Sequence, residues 1–155
     1  MKIAVVGIGS IGRRHVRVIK NNSPHTFLIS VRTGRGGKVT EDDIVDNRVN
    51  TIDQAINENI DGAIISSPAP YHITQAKKFI KAGIPVLIEK PLAAYYSESK
   101  QLLDPSISEL KAFKRSLVGY VLRHHPAYKK IKELVKENQF GSLLGARTEA
   151  RSYLP

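Results

Sequence analysis

The first fifteen residues constrain the fold of this chain more than any other stretch. Residues 2–6, Lys-Ile-Ala-Val-Val, form a short apolar run rich in β-branched residues. Such a run is typical of a strand that is covered on both faces of a parallel sheet. It leads directly into glycines at positions 7, 9 and 12, and apolar residues at roughly helical spacing follow them. The stretch therefore predicts a strand, a tight turn and a helix in direct succession.

Each glycine has its own mechanical role in a unit of this kind. Gly7 permits the tight turn, Gly9 lets the backbone approach a pyrophosphate, and Gly12 lets the helix pack closely on the strand. The start of the helix would present free N–H groups and a positive dipole end to the phosphates. The spacing predicts a dinucleotide cradle, with a plain strand–turn–helix as the alternative. The predicted cradle comprises Gly7, Ile8, Gly9, Ser10, Ile11 and Gly12.

The composition is that of an ordinary globular chain. Of its 155 residues, 41% are hydrophobic and 25% are charged, which is sufficient for a real core. The absence of cysteine excludes disulfides and cysteine-based metal sites, and we expect no metal. No apolar run approaches about 18 residues, and the N-terminus already has the pattern of a strand rather than of a signal peptide. We therefore expect no membrane span and a cytoplasmic protein.

The formal net charge of +10 needs a separate explanation. Nucleic-acid-binding proteins concentrate Lys and Arg on one element and often interleave aromatic residues that stack on bases. Here the basic residues are spread along the whole chain and there is no Trp, so we expect no nucleic acid partner. An anionic cofactor and the solvated faces of helices, such as Lys77, Lys78 and Lys81, explain the charge better.

Strand-like and helix-like segments alternate along the chain, which predicts an α/β fold, a Rossmann-type doubly wound parallel sheet. Further strands are predicted at 26–31, 61–67, 85–88 and 116–121. Further helices are predicted at 51–58, 71–82, 97–103 and from Pro126, with a loop around Pro105. The sheet domain is expected to cover 1–124. Residues 125–155 would follow as a helix and one more strand, over 143–154.

The end of the second predicted strand bears on the choice of cofactor. In a dinucleotide-binding unit, the residue about 20 positions past the last glycine lies beside the adenosine ribose, and an acid there selects NAD. This chain has Arg32 at that place, followed by Thr33 and Arg35, with no acid before Glu41. A guanidinium can hold a 2′-phosphate by paired charge-assisted bonds. The sequence favours NADP, with NAD possible if these arginines are merely solvated.

Polar residues follow two other predicted strands where each of them ends. Ser66, Ser67 and Pro68 end one strand, and the sequence Glu89-Lys90-Pro91 ends the next. Ligands of open α/β sheets bind outside the carboxyl ends of the strands. We therefore expect these two segments to lie at the same edge as the glycine turn. Taken alone, Lys90 would be a solvated lysine at the end of a strand.

Four motifs in this order resemble the Gfo/Idh/MocA family, named after glucose–fructose oxidoreductase and inositol dehydrogenase. The Glu89-Lys90-Pro91 element is the most specific of them. The resemblance covers almost the whole chain and rests on Gly7–His15, Ser67–His72, Gly83–Leu92 and Gly119–Pro126.

The resemblance implies an oxidoreductase that moves hydride between a nicotinamide and a sugar-like alcohol or ketone. It implies that the segment from Ser67 to His72 lies along the cofactor and that Glu89 shapes the nicotinamide pocket. Lys90 would be the catalytic residue, orienting the substrate and assisting proton transfer. Arg123 would reach the cofactor or brace the junction between domains.

Full-length members of that family continue into a second α/β domain, which supplies the substrate pocket. This chain ends early in what would be the first strand of that domain, so we expect the second domain to be absent and the fragment to be inactive. The alternative is a non-catalytic nucleotide-sensing or interaction module. Its terminal strand would then pair with another copy, since an exposed strand edge invites pairing.

Overall fold

The computed structural model describes residues 1–32 and 40–149. Within them lies one parallel sheet of six strands, in the spatial order β3-β2-β1-β4-β5-β6. This is the order of a doubly wound dinucleotide-binding sheet, and it confirms the predicted fold class. The strands are β1 (Lys2–Val6), β2 (Phe27–Val31), β3 (Asn47–Val49), β4 (Gly62–Ile65), β5 (Val86–Ile88) and β6 (Leu117–Val118).

Helices connect the strands, as parallel pairing requires. Among them, α2 begins at a complete capping box, in which the Thr51 hydroxyl accepts from the Gln54 amide and the Gln54 side chain accepts from the Thr51 amide. The described α-helices are α1 (Ser10–Asn22), α2 (Ile52–Asn57), α3 (His72–Lys81), α4 (Tyr96–Ser99), α5 (Pro105–Ser108), α6 (Lys111–Lys114) and α7 (Pro126–Lys136). Short 3-10 turns lie at Thr40–Asp43, Ala69–Tyr71, Lys100–Leu102 and Val121–His124.

The two faces of the sheet bury separate apolar clusters. Alternate residues of a strand point to opposite faces, so Ala4 and Val6 of β1 join a large cluster around Phe79 of α3, which is fully buried. Val5 points to the other face and packs with Val16 of α1. Helix α1 thus presses on the sheet beside the glycine turn, and this packing holds the start of α1 at the edge where the strands end.

Two predictions about local structure were wrong. The expected loop around Pro105 contains α5 and α6, because Ile107 and Ala112 are buried in the large cluster and order these short turns. The expected strand over 143–154 is not formed in residues 143–149, the part of it that the structure describes. An isolated strand is not stable without a partner that takes up its backbone hydrogen bonds.

The chain divides into two compact units, Met1–Gly119 and Tyr120–Pro155. The first unit carries the whole sheet, and the second carries α7. Within the residues that the structure describes, no helix is long and apolar enough to cross a membrane.

Candidate dinucleotide site

Gly7 makes the turn at the end of β1, and its surroundings admit no side chain. Its φ angle is +84°, in the left-handed region that favours glycine, and its N–H donates to the Val31 carbonyl oxygen at 3.2 Å. A Cβ at this position would lie 2.9 Å from the backbone N and Cα of Ser67. The turn is therefore held between the carboxyl ends of β2 and β4, as the glycine spacing predicts.

Gly12 lies in the first turn of α1 and touches the same backbone. A Cβ there would run into the carbonyl oxygen of Gly7 and come within 2.8 Å of Ser66 Oγ. The Ser66 hydroxyl lies 2.8 Å from that Gly7 oxygen and 3.0 Å from the Val6 oxygen, to either of which it can donate. Ser66 thus ties the end of β4 to the glycine turn and lets α1 start close to the sheet.

Gly9, in contrast, faces open space. A Cβ built on it would meet nothing within 4 Å, and its φ of −75° is one that any residue adopts. It is the N-cap of α1, where no side chain caps the helix and the first turn holds no acidic residue. Free N–H groups beside open space fit a pyrophosphate. Gly9 and Ser10 at the start of α1 could therefore hold the phosphates of a dinucleotide, while Gly7 and Gly12 shape the turn that brings them there.

Glu89 follows β5 and makes a contact with α1 that the sequence analysis did not identify. Its Oε1 accepts from His15 Nε2 at 2.8 Å, and its Oε2 accepts from the Lys90 amide at 3.3 Å. A Cβ on Gly119 would lie 3.4 Å from the carboxylate, so Gly119 borders the Glu89 side chain. Because 74 residues separate His15 from Glu89, no local pattern in the sequence signalled this pair. Glu89 is thereby fixed against α1.

Ser67 and Pro91 are linked through the buried ring of His72. The Ser67 hydroxyl donates to Gln75 Oε1 at 2.6 Å, and both ring nitrogens of His72 lie at hydrogen-bond distance from backbone oxygens of Ser67 and Pro91. Lys90 lies in sequence between Glu89 and Pro91 and is exposed. The structure thus brings the predicted segments around Ser67 and Lys90 to one edge of the sheet.

The remaining predicted site residues make fewer contacts with these segments in the described structure, or lie outside it. Arg32 comes immediately after β2, where its N–H donates to the Val49 oxygen at 3.0 Å, whereas Thr33 and Arg35 lie outside the described residues. Arg123 belongs to the second unit, where its guanidinium lies 5.6 Å from the ring centroid of Tyr120. Pro68 precedes the 3-10 turn at Ala69–Tyr71, and Ile8 and Ile11 flank Gly9 and Ser10.

A charged cluster links α1 to the segment after β2. The buried carboxylate of Glu41 lies 3.2 Å from Arg17 Nε and 3.9 Å from Arg13 Nε. Burial alone would raise the pKa of Glu41, but hydrogen bonds from its own backbone and Thr40, together with both arginines, lower it below the ordinary value. The ionised form of Glu41 is therefore the form that the fold stabilises.

The lowered pKa of Glu41 predicts a loss of stability in acid. A carboxylate with a lowered folded-state pKa contributes stability above its ordinary value of 4.5, and the contribution is lost as pH falls through the folded-state pKa. We expect Glu41→Gln to lower the urea midpoint at pH 7 and to change it less at pH 3. The matched control is Asp53→Asn, which breaks an exposed pair with Lys78. Equal shifts of the urea midpoint in both variants at pH 7 would contradict the stabilising role of the ionised Glu41 carboxylate.

Comparison with known proteins places the first five strands of the sheet in a known family. The model of the Gfo/Idh/MocA oxidoreductase family, NAD-binding Rossmann fold, matches residues 1–113. Inositol 2-dehydrogenase of Corynebacterium glutamicum is 27% identical over 152 residues, which cover 95% of this chain and 44% of that protein. This chain therefore spans less than half the length of that relative.

Two solved structures share the fold. Scyllo-inositol dehydrogenase from Lactobacillus casei, with bound NAD(H) and scyllo-inositol, aligns with a TM-score of 0.75 at 23% identity, over 91% of this chain and 42% of that one. The WlbA dehydrogenase from Bordetella pertussis, in complex with NADH and UDP-GlcNAcA, aligns with a TM-score of 0.75 at 20% identity, over 91% and 41%. At these identities, the likeness supports the fold alone.

Proposed function

Because this chain belongs to the Gfo/Idh/MocA oxidoreductase family, NAD-binding Rossmann fold, we propose that it serves as the nucleotide-binding half of a dehydrogenase. The open space at Gly9, beside the uncapped start of α1, is the observation that carries the binding function. Relatives are named for inositols, and one solved neighbour holds a UDP-sugar. The proposed substrate is accordingly a sugar-like alcohol or ketone.

The proposed chemistry uses the exposed lysine at the end of β5. When bound, the nicotinamide would accept or return the hydride. Lys90 would orient the substrate hydroxyl and hold a proton at Nζ, a position made possible by the anchoring of Glu89 and Pro91 on either side. The relatives are more than twice as long as this chain, so we expect the 155 residues alone to bind nucleotide but to turn over poorly or not at all.

A titration tests the binding function directly. NADPH and NADH are added to the purified chain, and cofactor fluorescence and binding heat are followed. We expect saturable binding of one dinucleotide per chain, abolished by competing adenosine diphosphoribose. Failure of both cofactors to saturate would refute the proposed function.

We further propose that the preferred cofactor is NADP. The supporting observation is the position of Arg32. It directly follows Val31, the last residue of β2, and the Val31 carbonyl oxygen accepts a hydrogen bond from the Gly7 N–H. Arg32 therefore lies next to the Gly7 turn. A carboxylate at this place would accept from the ribose 2′-hydroxyl and repel a 2′-phosphate, whereas a guanidinium attracts the phosphate.

Reversing the charge at position 32 should reverse the preference. We expect Arg32→Asp to weaken NADPH binding by about tenfold or more, since a charge-assisted contact is replaced by repulsion, and to weaken NADH binding far less. The measurement is the ratio of the two dissociation constants at fixed salt. Lys81→Asp, an equal charge reversal at the exposed end of α3, is the control and should leave the ratio unchanged. Equal weakening of both cofactors by Arg32→Asp would contradict the phosphate assignment.

A further inference from the structure

His72 is a fully buried side chain placed between two segments of the candidate site. Only 1% of its surface is exposed. Its Nε2 lies 2.7 Å from the Ser67 carbonyl oxygen and its Nδ1 lies 2.8 Å from the Pro91 carbonyl oxygen. The first oxygen belongs to the turn after β4, and the second to the segment that follows β5. The ring therefore spans the distance between the turn after β4 and the segment after β5 that contains Lys90.

The two contacts place the ring as a bridge between two backbone oxygens. A carbonyl oxygen can only accept a hydrogen bond, so an imidazole N–H is the donor. The ring donates to at least one of the two oxygens and lies against the other, and the tautomer decides which oxygen accepts. Either arrangement keeps the Ser67 and Pro91 backbones on opposite sides of one buried ring.

The described neighbours of His72 offer its ring nitrogens no charged partner in place of the two backbone oxygens. Among the described residues, no carboxylate lies within 4 Å of either ring nitrogen. On the Ser67 side, the side chain that hydrogen-bonds to Ser67 is that of Gln75. It is neutral, and its Oε1 accepts from the Ser67 hydroxyl. On the Pro91 side the charged neighbours in sequence are Glu89, which His15 and the Lys90 amide engage, and Lys90, which is exposed.

We propose that His72 is a positioning residue, which holds the Lys90–Pro91 segment against the Ser67 turn because its buried ring bridges the Ser67 and Pro91 carbonyl oxygens. His15 holds the other side of the same segment through Glu89, so Lys90 is anchored on both flanks. Neither ring nitrogen of His72 is then available to touch a cofactor or to act as a base. The inference rests on the proposed function only in giving this segment a role in dinucleotide binding.

Exchange of the ring N–H tests this contact without any cofactor. In a 1H–15N correlation of the labelled chain, we expect a His72 ring N–H that exchanges slowly with water, because it donates to a backbone oxygen inside the fold. The ring is assigned through correlation to its own Cβ, so the result does not depend on any variant folding. A His72 ring without any N–H protected from exchange would overturn the proposal.

Variants test the positioning role. We expect His72→Gln to speed hydrogen exchange at the Glu89 and Lys90 amides and to weaken NADH binding by about tenfold, the effect of losing one buried hydrogen bond. His25→Gln, at an exposed histidine, should change neither quantity. Unchanged exchange at Glu89 and Lys90 in a folded His72→Gln variant would contradict the role. Absence of NADH binding in the unsubstituted chain would instead refute the proposed function, while the spectrum still reports on His72.

Discussion

Replacing Gly12 with alanine is expected to lower the free energy of unfolding by about 2 kcal/mol, although alanine is the better helix former. The substitution gains about 1 kcal/mol of helix propensity. Forcing a methyl group into a close-packed contact costs about 3 kcal/mol, and here the methyl would meet the Gly7 carbonyl oxygen, which is backbone and cannot rotate away. The steric cost therefore outweighs the propensity gain.

Urea unfolding followed by circular dichroism measures this difference. The matched control is Arg14→Ala, which changes an exposed residue two positions later in the same helix and should shift the midpoint only slightly. An alanine at position 12 that raises the midpoint would show that the glycine is not required for the packing of α1 on the turn.

Replacing Gly9 with aspartate should leave the stability of the fold intact and weaken the binding of the dinucleotide. Its φ angle suits any residue and its Cβ would enter open space, so the fold should accept the change. Aspartate is also a favourable N-cap, which would keep or raise stability. The carboxylate would occupy the free N–H groups of α1 and repel the pyrophosphate, so we expect dinucleotide affinity to fall by about a hundredfold, or about 2.7 kcal/mol.

Gly9→Asn separates the two causes of that loss. Asparagine has nearly the same shape and capping ability but no charge, so its effect on affinity should fall between glycine and aspartate. Both variants are measured by NADPH titration, with the unfolding midpoint as the check on the fold. Retention of full affinity by Gly9→Asp would exclude the start of α1 as the phosphate site, whatever the fate of the remaining proposals.

Most elements of the fold were predictable because their signals are local. Buried parallel strands are continuous apolar runs, and residues 2–6, 26–31 and 61–67 read as strands for that reason. The capping box identifies Thr51 as the N-cap residue at which helix α2 begins. Helices α5 and α6, in contrast, have four residues each and carry no periodicity. They form because Ile107 and Ala112 are buried by packing against other elements.

The candidate site was predictable to a similar extent. Its glycines and the two strand ends followed from the spacing and from the rule that ligands bind at the carboxyl edge. The pairing of His15 with Glu89 was missed, since 74 residues separate them in sequence. The closeness of Gly119 to the Glu89 carboxylate was missed for the same reason.

The linear order of residues was enough to predict the class of fold and the position of the glycine turn, because turn glycines and strand patterns act on their immediate neighbours. The contacts around Lys90 depended on the folded sheet. His72 reaches Pro91, 19 residues away, and His15 reaches Glu89, and both pairs meet only because the helical connections return each strand to the same edge. Local preference gives each element its shape, and long-range packing selects the side chains that meet.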